Sequence, residues 1–123
     1  MDVNPVHSPQ VLDRDALLDR VGGDIEFLQE IAGLFLEDCP KLLAQIRTAV
    51  SGGDARTLEN AAHTLKGSVA NFGAEAARDA AFRLEALGRS GDMKPAPDAY
   101  SVLEQEIQRF TQELGRLSQE LGH

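Results

Sequence analysis

From Asp54 to Phe72 the chain reads DARTLENAAHTLKGSVANF, with apolar residues at Leu58, Ala62, Leu65, Val69 and Phe72. This 4-3-4-3 spacing draws one stripe down a 3.6-residue helix. Asp54 follows the breaker Ser51-Gly52-Gly53 and is placed to cap the first turn. At about 100° per residue, His63 falls roughly 140° from the stripe's centre, Lys66 about 80°, Ala70 about 120° and Gly67 about 180°. A histidine is therefore expected on the solvent face, with a lysine one turn further on. Gly67 costs such a helix about 0.5–1 kcal/mol relative to alanine. Because it lies opposite the buried stripe, internal packing explains it poorly. Bare backbone beside an exposed imidazole suggests that something large must approach the ring.

The remaining elements are also helical. Asp13 to Val21 predicts a short helix, stopped by Gly22-Gly23, that lies across the end of a bundle. Asp24 caps a helix running to about Val50, with Leu28, Ile31, Phe35, Leu42, Ile46 and Ala49 in an approximate heptad and further apolar residues on both flanks. Pro40 inside it predicts a bend rather than a stop. Phe72-Gly73-Ala74 is a tight connection, so the next helix, about Ala74 to Arg89, must return antiparallel. Its stripe is Ala77, Ala80, Ala81, Leu84 and Leu87, whose alanines allow close approach. A loop through Ser90-Gly91-Asp92 and Pro95-Ala96-Pro97 leads to a last helix, capped by Asp98 and carrying Leu103, Ile107, Phe110, Leu114, Leu117 and Leu121. The fold class expected is all-α: an antiparallel up-down-up-down four-helix bundle (residues 11–123) with a short additional N-terminal helix. Residues 1–10, with Pro5, Pro9, Ser8 and Asn4, read as a loose tail.

Composition narrows the function. The 123 residues fit one domain, and 42% hydrophobic but 5% aromatic content suits helices. A net charge of −8 with no Lys/Arg-rich run argues against nucleic acid. No run approaches the ~20 apolar residues of a membrane span, and the N-terminus lacks the pattern of a signal peptide. Cys39, the single cysteine, excludes an internal disulfide and fits a packing role in a reducing cytoplasm. His7, His63 and His123 are scattered, with no paired-ligand spacing, so no metal site is expected.

A second element stands level with the histidine. His63 lies ten residues before Gly73 and Glu85 twelve after it. At ~1.5 Å per residue these are about 15 and 18 Å from the turn. Glu85 sits roughly 100° from its own core centre, so the two flanks either share a groove or both face away from it. A carboxylate beside the imidazole would accept the Nδ1 hydrogen, fix the tautomer and leave the Nε2 lone pair outward.

The run A-H-T-L-K-G-S at Ala62 to Ser68, then Ala70-Asn71-Phe72-Gly73-Ala74 and the downstream Leu84-Glu85, resembles the histidine-containing phosphotransfer (HPt) domain of two-component signalling. The resemblance covers roughly Leu12 to Leu121. It implies that His63 is the phosphoacceptor, that Glu85 shares its groove, and that Lys66 steadies the phosphoryl group. Arg89 matches a basic position of some family members. Phe82, about 160° from its core stripe, joins Gly67, Ala70 and Arg89 in an expected docking flank. The resemblance further implies response-regulator receiver domains and a hybrid histidine kinase as partners, with Mg²⁺ held by the receiver and no cofactor on this chain. A monomeric carrier follows, without its own kinase, since no G-x-x-x-x-G-K-[ST] loop is present. The rival readings are a domain phosphorylated directly by a chemotaxis-type kinase, a dimerising histidine-kinase helix, a metal-binding bundle and a non-catalytic helical adaptor. The dimerising helix fits poorly, because Thr64 rather than Glu follows the histidine and no Thr-Pro comes a few residues on.

Overall fold

A computed structural model describes residues 12–121; the expected tail, His7 and His123 lie outside them. Five helices occupy the described residues: α1 (Arg14–Arg20), α2 (Ile25–Gly52), α3 (Ala55–Ala70), α4 (Glu75–Ser90) and α5 (Ala96–Leu121). The last four form the antiparallel bundle. α3 packs between α2 and α4, and α5 closes the ring against both. The predicted stripes supply the core: Leu58, Ala62, Leu65, Val69 and Phe72 are all buried, as are Leu103, Ile107, Phe110, Leu114 and Leu117. Phe35, Phe72 and Phe110 meet with ring centroids 5.2–5.6 Å apart, tying three segments together.

Aspartates start three helices as predicted. Asp13, Asp24 and Asp54 each accept a hydrogen bond from the backbone N–H three residues on. Asp54 also accepts from Thr57 Oγ1 at 2.7 Å, and these Thr57 bonds hold its carboxyl below the usual range. α1 sits across the end carrying the α3–α4 turn: Leu17 is buried, Arg20 donates to the Asn71 carbonyl, and Arg14 pairs with Glu120.

Two details depart from the expectation. α2 runs through Pro40 without a stop, as expected, but continues past Val50 to Gly52, where Gly53 takes the left-handed conformation that ends it. α5 begins at Ala96, so Asp98 is a first-turn residue and not the cap. Pro97 does not delay the helix, because first-turn N–H groups have no partner within the helix and a fixed φ suits the start. Asp98 there favours the positive end of the helix dipole.

The α3–α4 pair carries the site, and two glycines set its geometry. Gly73 turns the chain with φ +69°, and a Cβ there would also lie 3.2 Å from Asp13 Cβ in the α1 cap. Gly88, inside α4, lies against the α3 backbone. A Cβ at Gly88 would meet the Ala55 carbonyl oxygen at 2.6 Å and the Glu59 nitrogen at 2.7 Å. The two helices approach more closely here than any side chain would allow.

Candidate functional site

The level heights of His63 and Glu85 become a contact, because their flanks do share the α3–α4 groove. His63 projects from α3 with its side chain 66% exposed, yet Nδ1 lies 2.9 Å from Glu85 Oε2. Glu85 is only 2% exposed and is the one charged residue in the core of the described chain. Three cationic or polar groups surround it. Lys66 Nζ is 2.7 Å from Oε1, an ion contact to an oxygen with no other partner. Arg89 Nη2 donates to Oε2 at 2.9 Å, alongside the histidine.

Burial pushes the Glu85 carboxyl up, but the Lys66 and His63 contacts outweigh it and hold the group below its ordinary value. Glu85 is therefore an anion and can only accept. The hydrogen must sit on Nδ1 of His63, which leaves the neutral ring's lone pair on Nε2. A solvent-facing nucleophilic nitrogen on a ring fixed from behind is what this arrangement offers chemically.

The remaining predicted residues divide into two groups. Gly67 is exposed, and nothing lies within 4 Å of where its Cβ would be, so it is not a packing glycine. Gly67, Ala70 and the half-exposed Phe82 line one shallow groove with Lys66, whose Nζ stands 5.1 Å from the Phe82 ring centroid. Arg89 is anchored instead. Its Nε donates to Glu59 Oε2 on α3 at 3.1 Å while Nη2 holds Glu85. Among the described residues, the carboxylates beside the ring, Glu85 and Glu59, both carry cationic partners.

The Hpt domain family model matches residues 30–113, more than half of the chain. This chain belongs to the Hpt domain family. Its Hpt fold superposes on histidine-containing phosphotransfer protein B (HptB) from Pseudomonas aeruginosa PAO1 with a TM-score of 0.84 at 25% identity, covering 92% of this chain and 98% of that one. It also superposes on the HPT domain of an Hpt sensor hybrid histidine kinase from Shewanella, with a TM-score of 0.80 at 16% identity, covering 94% and 100%. The second likeness concerns fold alone. The phosphorelay intermediate protein rdeA of Dictyostelium discoideum is 25% identical over 96 residues, which are 78% of this chain and 38% of the relative's length.

Sequence reasoning missed part of this Hpt surface. Ile25, Phe27 and Leu34 of α2 are exposed. Phe27 and Leu34, with Ile31 and Leu42, line a groove that Thr64 and Ser68 of α3 also border. The apolar residues flanking the α2 heptad were the available signal. Glu59 and Gly88 were also missed. Nothing in their own helices marks them, because each matters only through the opposite helix.

Proposed function

We propose that this chain is a phosphoryl carrier of a multistep phosphorelay, accepting the group on His63 Nε2 from a receiver-domain aspartate and passing it to another. The observation carrying this reading is the exposed His63 ring whose Nδ1 faces the buried, anionic Glu85. The Nε2 lone pair forms the N–P bond as the P–O bond to the aspartyl oxygen breaks, and the carboxylate leaves with the electron pair. Nδ1 keeps its proton, so positive charge grows on the ring as the bond forms, and Glu85 balances it. The phosphorylated ring, cationic while Nδ1 keeps its proton, is a good donor, which suits a group that must leave again.

Transfer of this kind depends on positioning and charge more than on covalent help from the carrier. Lys66, three residues on from His63 in α3, is the cation able to turn from Glu85 to the incoming phosphoryl oxygens, since Arg89 is held by two carboxylates. The partner receiver holds the Mg²⁺, since Glu85 and Glu59, the carboxylates described beside the ring, already carry cationic partners. The chain acts as a monomer in the cytoplasm, without its own kinase, upstream or downstream of a hybrid histidine kinase. The groove at Gly67, Ala70 and Phe82, together with the α2 face at Phe27 and Leu34, gives a receiver an apolar landing on both sides of the ring. Incubation with a panel of phosphorylated receivers tests the reading. Acid-labile label should move to this chain from at least one, and failure to label from any receiver or kinase would refute it.

A further inference from the structure

Glu85 can orient the imidazole only if α4 holds a fixed depth against α3, and the structure assigns that task to two residues outside the ring's own contacts. We propose that Gly88 and Glu59 are positioning residues for His63. Gly88 supplies the depth. Its bare Cα rests against the backbone from Ala55 to Glu59, where a Cβ would approach the Ala55 oxygen to 2.6 Å and the Glu59 Cα to 3.0 Å. The atoms it would strike are backbone and cannot swing aside, so a side chain there must drive the helices apart.

Glu59 supplies the register. Arg89, the residue after Gly88, donates Nε to Glu59 Oε2 at 3.1 Å and Nη2 to Glu85 Oε2 at 2.9 Å. One guanidinium thus spans from α3 to the very oxygen that faces His63 Nδ1. Glu59 is four residues before His63 on the same helix, so the bridge ties the histidine's own helix to its orienting carboxylate one turn away. Arg89 is 60% exposed at its side chain, so its charge alone contributes little. What it supplies is a planar fork that fixes two carboxylates relative to each other. Without the depth or the fork, the 2.9 Å contact to Nδ1 loosens and the proton distributes over both ring nitrogens.

The inference rests on the phosphotransfer reading for its consequence, but its first readout needs no receiver. Ring ¹⁵N shifts of His63 report the tautomer directly. Wild type should show the proton on Nδ1. Gly88→Ala and, separately, Glu59→Gln should shift the ring toward a mixture of tautomers. Transfer per folded molecule should fall roughly tenfold or more for Gly88→Ala, as a displacement approaching 1 Å does elsewhere, and about two- to fivefold for Glu59→Gln, as the loss of a partly exposed pair does. Leu114→Ala, a destabilising core change in α5, should leave the ring signature unmoved. If the folded Gly88→Ala protein keeps the wild-type tautomer, the inference is overturned, even if its transfer is slow. If Gly88→Ala does not fold, Glu59→Gln decides alone, and an unmoved ring signature overturns the inference. If wild type accepts no phosphoryl group while the variants do shift the tautomer, the positioning claim stands and the phosphorelay reading fails.

Discussion

Lys66 Nζ lies 2.7 Å from Oε1 of Glu85, so the lysine one turn from His63 is the counter-ion of a buried carboxylate. The lysine neutralises Glu85, and under the proposed function it also steadies the incoming phosphoryl group. Lys66→Ala should therefore lower stability as well as slow transfer. With the lysine partly exposed, the loss should be about 1–2 kcal/mol, the low end for a hydrogen bond to a charged group. Helical circular dichroism should persist at room temperature. Chemical denaturation and receiver-to-carrier transfer, measured on one preparation, check both halves. Unchanged stability would contradict the pairing.

Glu85 makes a signed prediction with pH. Its carboxyl, pushed up by burial but pulled down further by Lys66 and His63, ends below the ordinary value of 4.5. A group whose folded value lies below its unfolded one stabilises the fold above the unfolded value and loses that contribution as pH falls through the folded one. Wild-type stability should therefore decline on acidification below about pH 4.5, more steeply than that of Glu85→Gln, which has nothing to titrate there. Denaturant midpoints from pH 6 to pH 3 measure the difference. Parallel acid limbs would show that Glu85 is not held as an anion.

Gly67 separates stability from function. The site of its missing Cβ is open, so Gly67→Ala should raise stability by roughly 0.5–1 kcal/mol. Gly67→Gln should melt at the wild-type temperature or above, yet its side chain would cover the ground beside the imidazole and transfer should drop sharply. Unfolding by this variant would mean that the glycine serves packing. Wild-type transfer would mean that no partner passes over it.

Much of this was legible in the sequence, and most of the exceptions share a cause. Helical stripes such as Leu58-Ala62-Leu65-Val69 mark their own buried face, so the core and the exposure of His63 follow from one helix at a time. The wheel likewise put Gly67 on the solvent side. Whether Glu85 faced His63 or turned away depended on how two helices are rotated about each other, which neither stripe specifies. Its burial and anionic state followed from that rotation. Gly88 looked like any small residue of α4 until the α3 backbone was set against it. The start of α5 at Ala96 was hidden for another reason: Pro95 and Pro97 read as loop punctuation, although the first helical turn tolerates proline well.

Cys39 should behave as a core residue. Burial pushes its thiol up to about 11, leaving almost no thiolate at neutral pH. A thiol reagent at pH 8 should react with the native protein far more slowly than with the urea-unfolded chain. Equal rates would place the sulfur at the surface. The same shift predicts a loss of stability as pH rises from the unfolded thiol's range toward 11, because the unfolded chain then releases a proton that the folded one retains.

Under the proposed function, His63 Nε2, set outward by Glu85, carries the phosphoryl group. The most direct measurement compares wild type with His63→Gln after exposure to a phosphorylated receiver that labels wild type, locating the bound group by ³¹P spectroscopy and mass spectrometry. Wild type should carry one acid-labile phosphoramidate on Nε2 of His63, while the folded His63→Gln protein carries none. Label on the variant, or a wild-type phosphoryl group on Nδ1 or on another residue, would contradict transfer through His63 Nε2.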